Sequence, residues 1–307
     1  MKRDSKILII GWKSPVGQRL AERLKADDFK RIITMPEGGL SRQSAVERFF
    51  KSKRPRYVFF MDVRSGGIAA NSAYPAEFIY DNLSAELNVI HASYKTGVKR
   101  LLFMASSCSY PKACLQPMRE EYILSGPLEP TSAAFAIAKI AGMKMCQYYN
   151  RQYGTSFVCV IPATAYGPGD DFDIGTSHVI PALIHKIHSA KTGGRSSVTI
   201  WGTGSPRREF IHADDLADAA IKIMLDKKAP PVINIGTGHD VSIKELALLL
   251  KDITGFRGKL KFDRAKPDGA YRKLLDISKL KSTGWMPRVD LRTGLEDLYK
   301  WYLKHAA

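Results

Sequence analysis

The residue types that could do chemistry fall into three groups. Four cysteines (Cys108, Cys114, Cys146 and Cys159) are scattered with no C-x-x-C pair. That spacing argues against zinc and for a reducing compartment, the cytoplasm or another intracellular one. A lone cysteine is by default a small buried hydrophobe. His185 and His188 stand three apart on an expected helix and imitate a metal pair. No carboxylate–histidine motif completes a site, so a solvated helix face is expected there and no metal. The third group is the run Gly11-Trp12-Lys13-Ser14-Pro15-Val16-Gly17. Between a strand and a helix, glycines let the backbone approach a pyrophosphate, whose charge the helix N-terminus stabilises. Ser14 carries a side chain where a G-x-x-G-x-x-G turn wants none, and Pro15 removes an N–H donor.

The elements that must position these residues alternate. Lys6 to Ile10 reads as a buried strand and Val16 to Leu24 as a helix. Tyr57–Phe60, Leu101–Met104, Phe157–Val160 and Val232–Ile235 are further strands. Leu83, Leu87, Ile90 and Tyr94 recur at helical spacing, and a second long helix spans about 132–153. Ser242 with Glu245 forms a capping box, and Asp290 can cap a last amphipathic helix bearing Leu291, Leu295, Leu298 and Trp301. Strands alternating with helices predict βαβ units around a parallel sheet. The Gly-, Pro- and charge-rich stretch 161–215 looks like an elaboration that builds a site.

At 307 residues, 45% hydrophobic and 25% charged, the chain has globular composition, neither disordered nor collagenous. No apolar run approaches the ~18 residues of a membrane span. The excess charge of +17 is uneven. Residues 1–56 hold 15 basic against 6 acidic, and 251–307 hold 14 against 7. The middle, 57–250, is nearly neutral with 18 against 17. Such ends suit an anionic partner, a nucleotide or a nucleic acid.

The stretch Ala105-Ser106-Ser107-Cys108-Ser109-Tyr110-Pro111-Lys112 resembles the SSCxYPK segment of the GDP-L-fucose synthase family, extended short-chain dehydrogenase/reductases. Similar matches are Tyr74–Tyr80, Ala136–Gly142, Ser177–Leu183, Trp201–Pro206, Arg208–His212, Asp214–Ala217, Lys266–Gly269 and Arg272–Asp276, in order, so the likeness covers about residues 6–304. The resemblance implies a Rossmann-type doubly wound parallel sheet with a smaller C-terminal substrate domain. The nucleotide-binding part would take 1–165 and part of 210–240; the substrate part, 166–209 and 241–307. It also implies an NADP(H) enzyme that epimerises GDP-4-keto-6-deoxymannose at C3 and C5 and then reduces C4. Cys108 and His178 would exchange the protons next to the ketone, and Ser106 or Ser107 would hydrogen-bond its oxygen. Lys186, Trp201, Arg208 and Lys273 would hold the sugar nucleotide, with Lys186 where the family often has Arg. Gly11, Lys13, Ser14, Val16, Gly17 and Lys139 would hold the cofactor. A homodimer through helices near 83–98 and 132–153 is the expected assembly.

The departures from the family fall on the redox machinery. Its reductase step uses a Tyr-x-x-x-Lys pair, in which Tyr protonates the ketone oxygen; here the pair is Phe135 and Lys139. Tyr110 and Tyr166 are the nearby candidates for a substitute donor. The strand Ile32–Met35 lacks the Arg that meets the 2′-phosphate of NADP. Met61-Asp62-Val63 replaces small alanines, and Thr164 replaces an asparagine. Three readings follow. The protein is an epimerase that keeps the redox-neutral half-reaction, a complete fucose-synthase-type enzyme, or a non-catalytic scaffold subunit on an anionic, even ribonucleoprotein, partner.

Overall fold

The computed structural model describes residues 1–61, 64–266 and 268–305. Short apolar runs alternate with amphipathic ones, so the first half reads β1 (Ile7–Ile10), α1 (Pro15–Ala26), β2 (Ile32–Thr34), α2 (Gln43–Lys53), β3 (Tyr57–Phe60), α3 (Ile68–Ala73), α4 (Pro75–Lys95) and β4 (Arg100–Met104). There follow α5 (Ala133–Tyr153), β5 (Phe157–Pro162), β6 (Thr164–Tyr166), α6 (Val179–Thr192), β7 (Ser197–Trp201), β8 (Arg207–His212), α7 (Ala213–Leu225) and β9 (Val232–Ile235). The C-terminal part holds β10 (Asp240–Ser242), α8 (Ile243–Thr254), β11 (Lys259–Asp263), β12 (Arg272–Lys273), α9 (Ser278–Ser282) and α10 (Leu291–His305).

Six parallel strands form one sheet in the order β2-β1-β3-β4-β5-β9. Every residue of β1, β3 and β4 is buried, which requires helices on both faces. Those layers are α1 against α7, and α4 against α2 and α5. Around β8 sit β10, antiparallel, and β12 and β6, parallel, while β7 pairs with β11. A second core joins Ile180, Ile184 and Ile187 of α6 to Leu246 and Leu250 of α8 and to Leu295, Leu298 and Tyr302 of α10. Leu275, Ile277, Leu280 and Trp285, although late in the chain, belong to the core of the large sheet.

Local signals behave as their chemistry dictates. Ser242 and Glu245 make the reciprocal capping box of α8, and Asp290 accepts the Thr293 amide at the start of α10. The face of α4 is a correction. Its buried residues are Phe78, Asn82, Ala85, Glu86, Val89 and Ile90, whereas Leu87 is 44% exposed. The helix packs on α5 as well as on the sheet, so the buried arc rotates away from the Leu83–Leu87 line.

Candidate active site

Strands of a parallel sheet open their carboxyl ends towards ligands. Here the segments leaving β1, β3, β4 and β5 enclose a cavity of about 460 Å³. Its floor is Ser14, Pro15, Val16, Met61 and Met104; its far wall is Lys186, Trp201, Arg208 and Lys273. Between them stand Ser106, Ser107, Cys108, Phe135, Thr164 and His178. The structure therefore gathers residues spread over more than 250 positions around one space.

The segment after β4 presents Cys108. Ser106 caps a short 3-10 turn by accepting the Cys108 amide at 3.2 Å. Lys273 of β12 donates from Nζ to the Cys108 Sγ at 3.5 Å. Burial pushes the thiol up, but the Lys273 charge and hydrogen bonds from Ser106, Ser132 and Lys273 outweigh it and hold the pKa below the ordinary thiol value. Lys273, expected to hold the sugar nucleotide, thus also faces the sulfur. His178 is the N-terminal residue before α6. The preceding backbone is held by Gly67, whose amide donates to the Thr176 carbonyl at 3.0 Å. A Cβ on Gly67 would meet the Ser177 carbonyl at 2.5 Å, so this approach requires glycine.

The opposite wall is cationic. Lys186 lies 5.2 Å and Lys266 5.3 Å from the Trp201 ring centroid. Burial pushes both Lys186 and Arg208 below their ordinary values, while Cys108, Glu129 and Asp268 pull Arg208 back up. Asp268 itself accepts from the Thr203 amide and hydroxyl at 2.7 and 2.8 Å.

Phe135 lines the cavity, with its ring edge-on to Phe78 at 6.3 Å. Lys139, one turn on, does not line it. The side chain is fully buried, and its ammonium lies 3.3 Å from Glu86 Oε1 and 3.2 Å from the Met104 carbonyl. Lys139, expected to hold the cofactor, thus has its ammonium on a buried carboxylate of α4. The two candidate donors also fail. Tyr110 is buried and donates to Asn234 Oδ1 at 2.7 Å, and Tyr166 is buried against His212. Burial pushes both phenols up. Among the described residues no tyrosine lines the cavity.

At the first turn, Gly11 has φ +76° and a Cβ on Gly17 would meet the Gly11 carbonyl at 2.3 Å, so both glycines are demanded by the close strand–helix approach. They shape the turn without lining the cavity. Ser14 caps α1, accepting from the Gly17 amide at 3.1 Å and donating to the Gly11 carbonyl at 2.8 Å. Pro15 lacks an N–H, so the first turn has one amide fewer to offer, and Val16 beside it lines the cavity. Lys13 lines a separate recess with Trp12, Thr34, Pro36 and Gly38. Asp62 and Val63, expected beside the cofactor, and Pro267 of a matched motif lie outside the described residues. Met61, their neighbour, is buried at the end of β3.

Residues 7–236 match the NAD dependent epimerase/dehydratase family. GDP-L-fucose synthase 1 of Arabidopsis thaliana is 47% identical over 305 residues, 99% of this chain and 94% of its own. The chain is a member of the GDP-L-fucose synthase family. Two solved structures are also similar, each covering 99% of both chains at 40% identity. One is a GDP-6-OMe-4-keto-L-xylo-heptose reductase from C. jejuni, TM-score 0.92; the other is a GDP-mannoheptose C4 reductase from Campylobacter jejuni with NADP bound, TM-score 0.90. The family's Rossmann-type sheet is thus the sheet described above.

Within this GDP-L-fucose synthase fold, several cavity residues carry no sequence signal of their own. Asp170 is one: burial pushes its pKa up to about 7, and its Oδ2 has no hydrogen-bond partner. Glu129 is buried beside Lys112 at 3.3 Å, and Ser132 supplies a hydroxyl to Cys108. His185 and His188 prove to be packing residues. Their Nδ1 atoms lie 3.3 Å from the Tyr302 hydroxyl and 3.0 Å from that of Tyr299, so the expected solvated face is covered by α10. Among the described residues no cluster suited to a metal ion occurs, and no helix is long and apolar enough to cross a membrane.

Proposed function

We propose that this protein is a GDP-sugar enzyme that epimerises a GDP-4-keto-6-deoxy sugar at C3 and C5, with its 4-reduction impaired. The observation that carries this reading is Cys108, held towards its thiolate by Lys273 in a cavity whose adjoining wall is Phe135. A thiolate beside a carbon next to a ketone removes its proton, and Ser106 and Ser107 stabilise the resulting enolate oxygen. His178, lining the same cavity, returns a proton to the opposite face; repetition at the second carbon leaves the sugar redox-neutral. Lys186 and Arg208 meet the diphosphate and Trp201 lies flat against the ligand. Residues 166–209 and 241–307 form the substrate-holding part, except that Leu275–Trp285 pack into the large sheet with the nucleotide-binding part, 1–165 and part of 210–240.

The turn fits a dinucleotide. Its glycines bring the chain close, and Ser14, Pro15 and Val16 at the start of α1 line the cavity, where a helix N-terminus favours an anion. Gly11, Ser14, Val16 and Gly17 would hold the pyrophosphate of NADP(H), with Lys13 in the adjoining recess. When bound there, the group supplies a hydride to C4. What this chain's residues do not supply is the phenol: Phe135 has no proton to give. A complete synthase is the second reading, favoured by a single cavity that runs from Ser14 to Lys186. The assembly we favour is a homodimer through α4 and α5, which expose Tyr80, Leu87, Ile137 and Tyr148. Its setting is a reducing compartment.

One experiment separates the readings. The protein is incubated with GDP-4-keto-6-deoxymannose in deuterated water, with and without NADPH. Deuterium at C3 and C5 without NADPH oxidation is expected. Consumption of NADPH to a 4-hydroxy product at ordinary enzyme rates overturns the impaired reduction. No exchange, with Cys108→Ser indistinguishable from the parent protein, overturns catalysis altogether.

A further inference from the structure

The amino-terminal edge of the large sheet, opposite the cavity, carries a row of like charges. Strand register places Arg31, Lys6, Arg56 and Lys99 side by side, each immediately before β2, β1, β3 or β4. The backbone joins them across the edge: the Ile7 amide donates to the Arg31 carbonyl, the Arg56 amide to that of Lys6, and the Lys99 amide to that of Arg56. Arg31, Arg56 and Lys99 are exposed, and among the described residues none of the four has an ion-pair partner. More basic residues crowd the same edge. Lys6 Nζ donates to the Lys53 carbonyl, and the Lys30 amide donates to the Arg3 carbonyl. Burial and the charges of Lys99, Arg3 and Lys227 push the Met1 amine below its ordinary pKa. Among the described residues, Asp28 pairs with Lys30 here at 3.9 Å, and the charge of Asp226 acts on the buried Arg100.

Like charges directly opposite each other in a sheet are destabilising. With strands ~4.8 Å apart, four of them span roughly 14 Å of unneutralised edge. Folding gains nothing from such a row, and the cavity at the other end of the strands is out of its reach. An aromatic stack adjoins it. α4 and α5 end at this same edge, where Tyr94 and Tyr153 stack at 4.2 Å and Tyr149 meets both edge-on. Tyr153 is 46% exposed.

We propose that this edge binds single-stranded nucleic acid, the basic row tracking phosphates and the Tyr94–Tyr153 stack receiving a base. A cationic groove beside sequence-tolerant aromatic platforms is how single strands are held without base readout. An acidic peptide would use the charges but not the stack. A membrane surface would want apolar side chains among the lysines, and the exposed neighbours here are tyrosines. The proposal does not depend on the catalytic reading.

The test is fluorescence anisotropy with a fluorescein-labelled single-stranded 20-mer RNA of mixed sequence. Four phosphate contacts on a single strand give a log–log salt slope of roughly −3, so affinity should fall about 50-fold between 50 and 200 mM KCl. The triple substitution Arg31→Glu, Arg56→Glu, Lys99→Glu should cut the slope by about 2 and weaken binding at least tenfold at 50 mM. Tyr153→Ala should weaken it roughly five- to hundredfold. Neutral replacements by Gln at the same three positions serve if the reversed charges prevent folding. All variants should melt in a single cooperative transition and keep any C3/C5 exchange, the charge variants at or above the parent melting temperature. The proposal is overturned if the folded protein leaves the RNA free at 50 mM, or if the triple variant binds it unchanged. Equal binding of polyglutamate or of phosphatidylserine vesicles, insensitive to Tyr153→Ala, overturns it in favour of those partners.

Discussion

Lys273→Met is the sharpest probe of the site. The ammonium is 3.5 Å from the Cys108 sulfur. Opposite unit charges at that distance attract by ~1.2 kcal/mol in water and ~4.7 kcal/mol at an effective dielectric near 20. Lys273 is half-buried, so the true value lies between these limits. At 1.4 kcal/mol per factor of ten, removing the charge lowers the thiolate fraction at neutral pH by roughly ten- to 10³-fold. A more basic thiolate is also a better nucleophile, which offsets about half of the loss on a logarithmic scale. The alkylation rate of Cys108 by iodoacetamide should therefore fall roughly 3- to 30-fold at pH 7. The direction follows from the pair: the folded thiol is held below its ordinary value, so its pH–rate curve moves to higher pH in the variant. Peptide mass spectrometry reads the site directly, and Cys114, whose thiol burial pushes up, is the control that should not move. At high pH, where both thiols ionise, the curves should cross and the variant, with the more basic thiolate, should react at least as fast as the parent. An unchanged pH profile, or an equal drop at every pH, would refute the reasoning, the latter by showing that access rather than charge was altered.

Two further outcomes follow from single residues. Phe135→Tyr puts a phenol on the cavity wall with the Lys139 ammonium 5.4 Å from the ring centroid, and should raise NADPH oxidation with a GDP-4-keto sugar by roughly 10²–10⁴-fold; a folded variant with the parent rate sinks the claim that the phenol is what is missing. Asp170 titrates near 7 in the folded chain against an ordinary value of 3.8. Between those pH values the folded state holds a proton that the unfolded state has lost, so stability falls as pH rises from about 4 to about 7, by a ceiling of order 4 kcal/mol. Asp170→Asn should accordingly raise the melting temperature at pH 8 and leave it nearly unchanged at pH 4; parallel pH curves would contradict this.

What could be read from residue order was local. The strand–turn–helix at Ile7–Ala26, the Ser242–Glu245 box and the Asp290 cap depend on neighbours a few positions apart, and they stand as expected. Cys108 and His178 were picked out by motif, and both line the cavity. The rest depends on contacts that no local pattern encodes. Lys273 reaches Cys108 across 165 positions. Lys139 points inward because of Glu86 on another helix, and Tyr110 is withdrawn from the site by Asn234, 124 positions on. His185 and His188 looked solvated because α10, which covers them, comes more than a hundred residues later. The charge bias of the first 56 residues was plain, but its concentration on one edge needed the register of four strands.

The Glu86–Lys139 pair has a consequence for how such a site changes through descent. Both side chains are wholly buried. Replacing one partner strands the other's charge in the interior, at ~3–5 kcal/mol, whereas replacing both together by apolar groups is often neutral. Single mutations therefore meet a valley at either position, and only a rare double step crosses it. Position 135 stands under no such constraint: the difference between Tyr and Phe there is one oxygen at the rim of a cavity. A lineage relieved of the reduction would lose that oxygen first and keep the ion pair long afterwards, and the way back would be a single step.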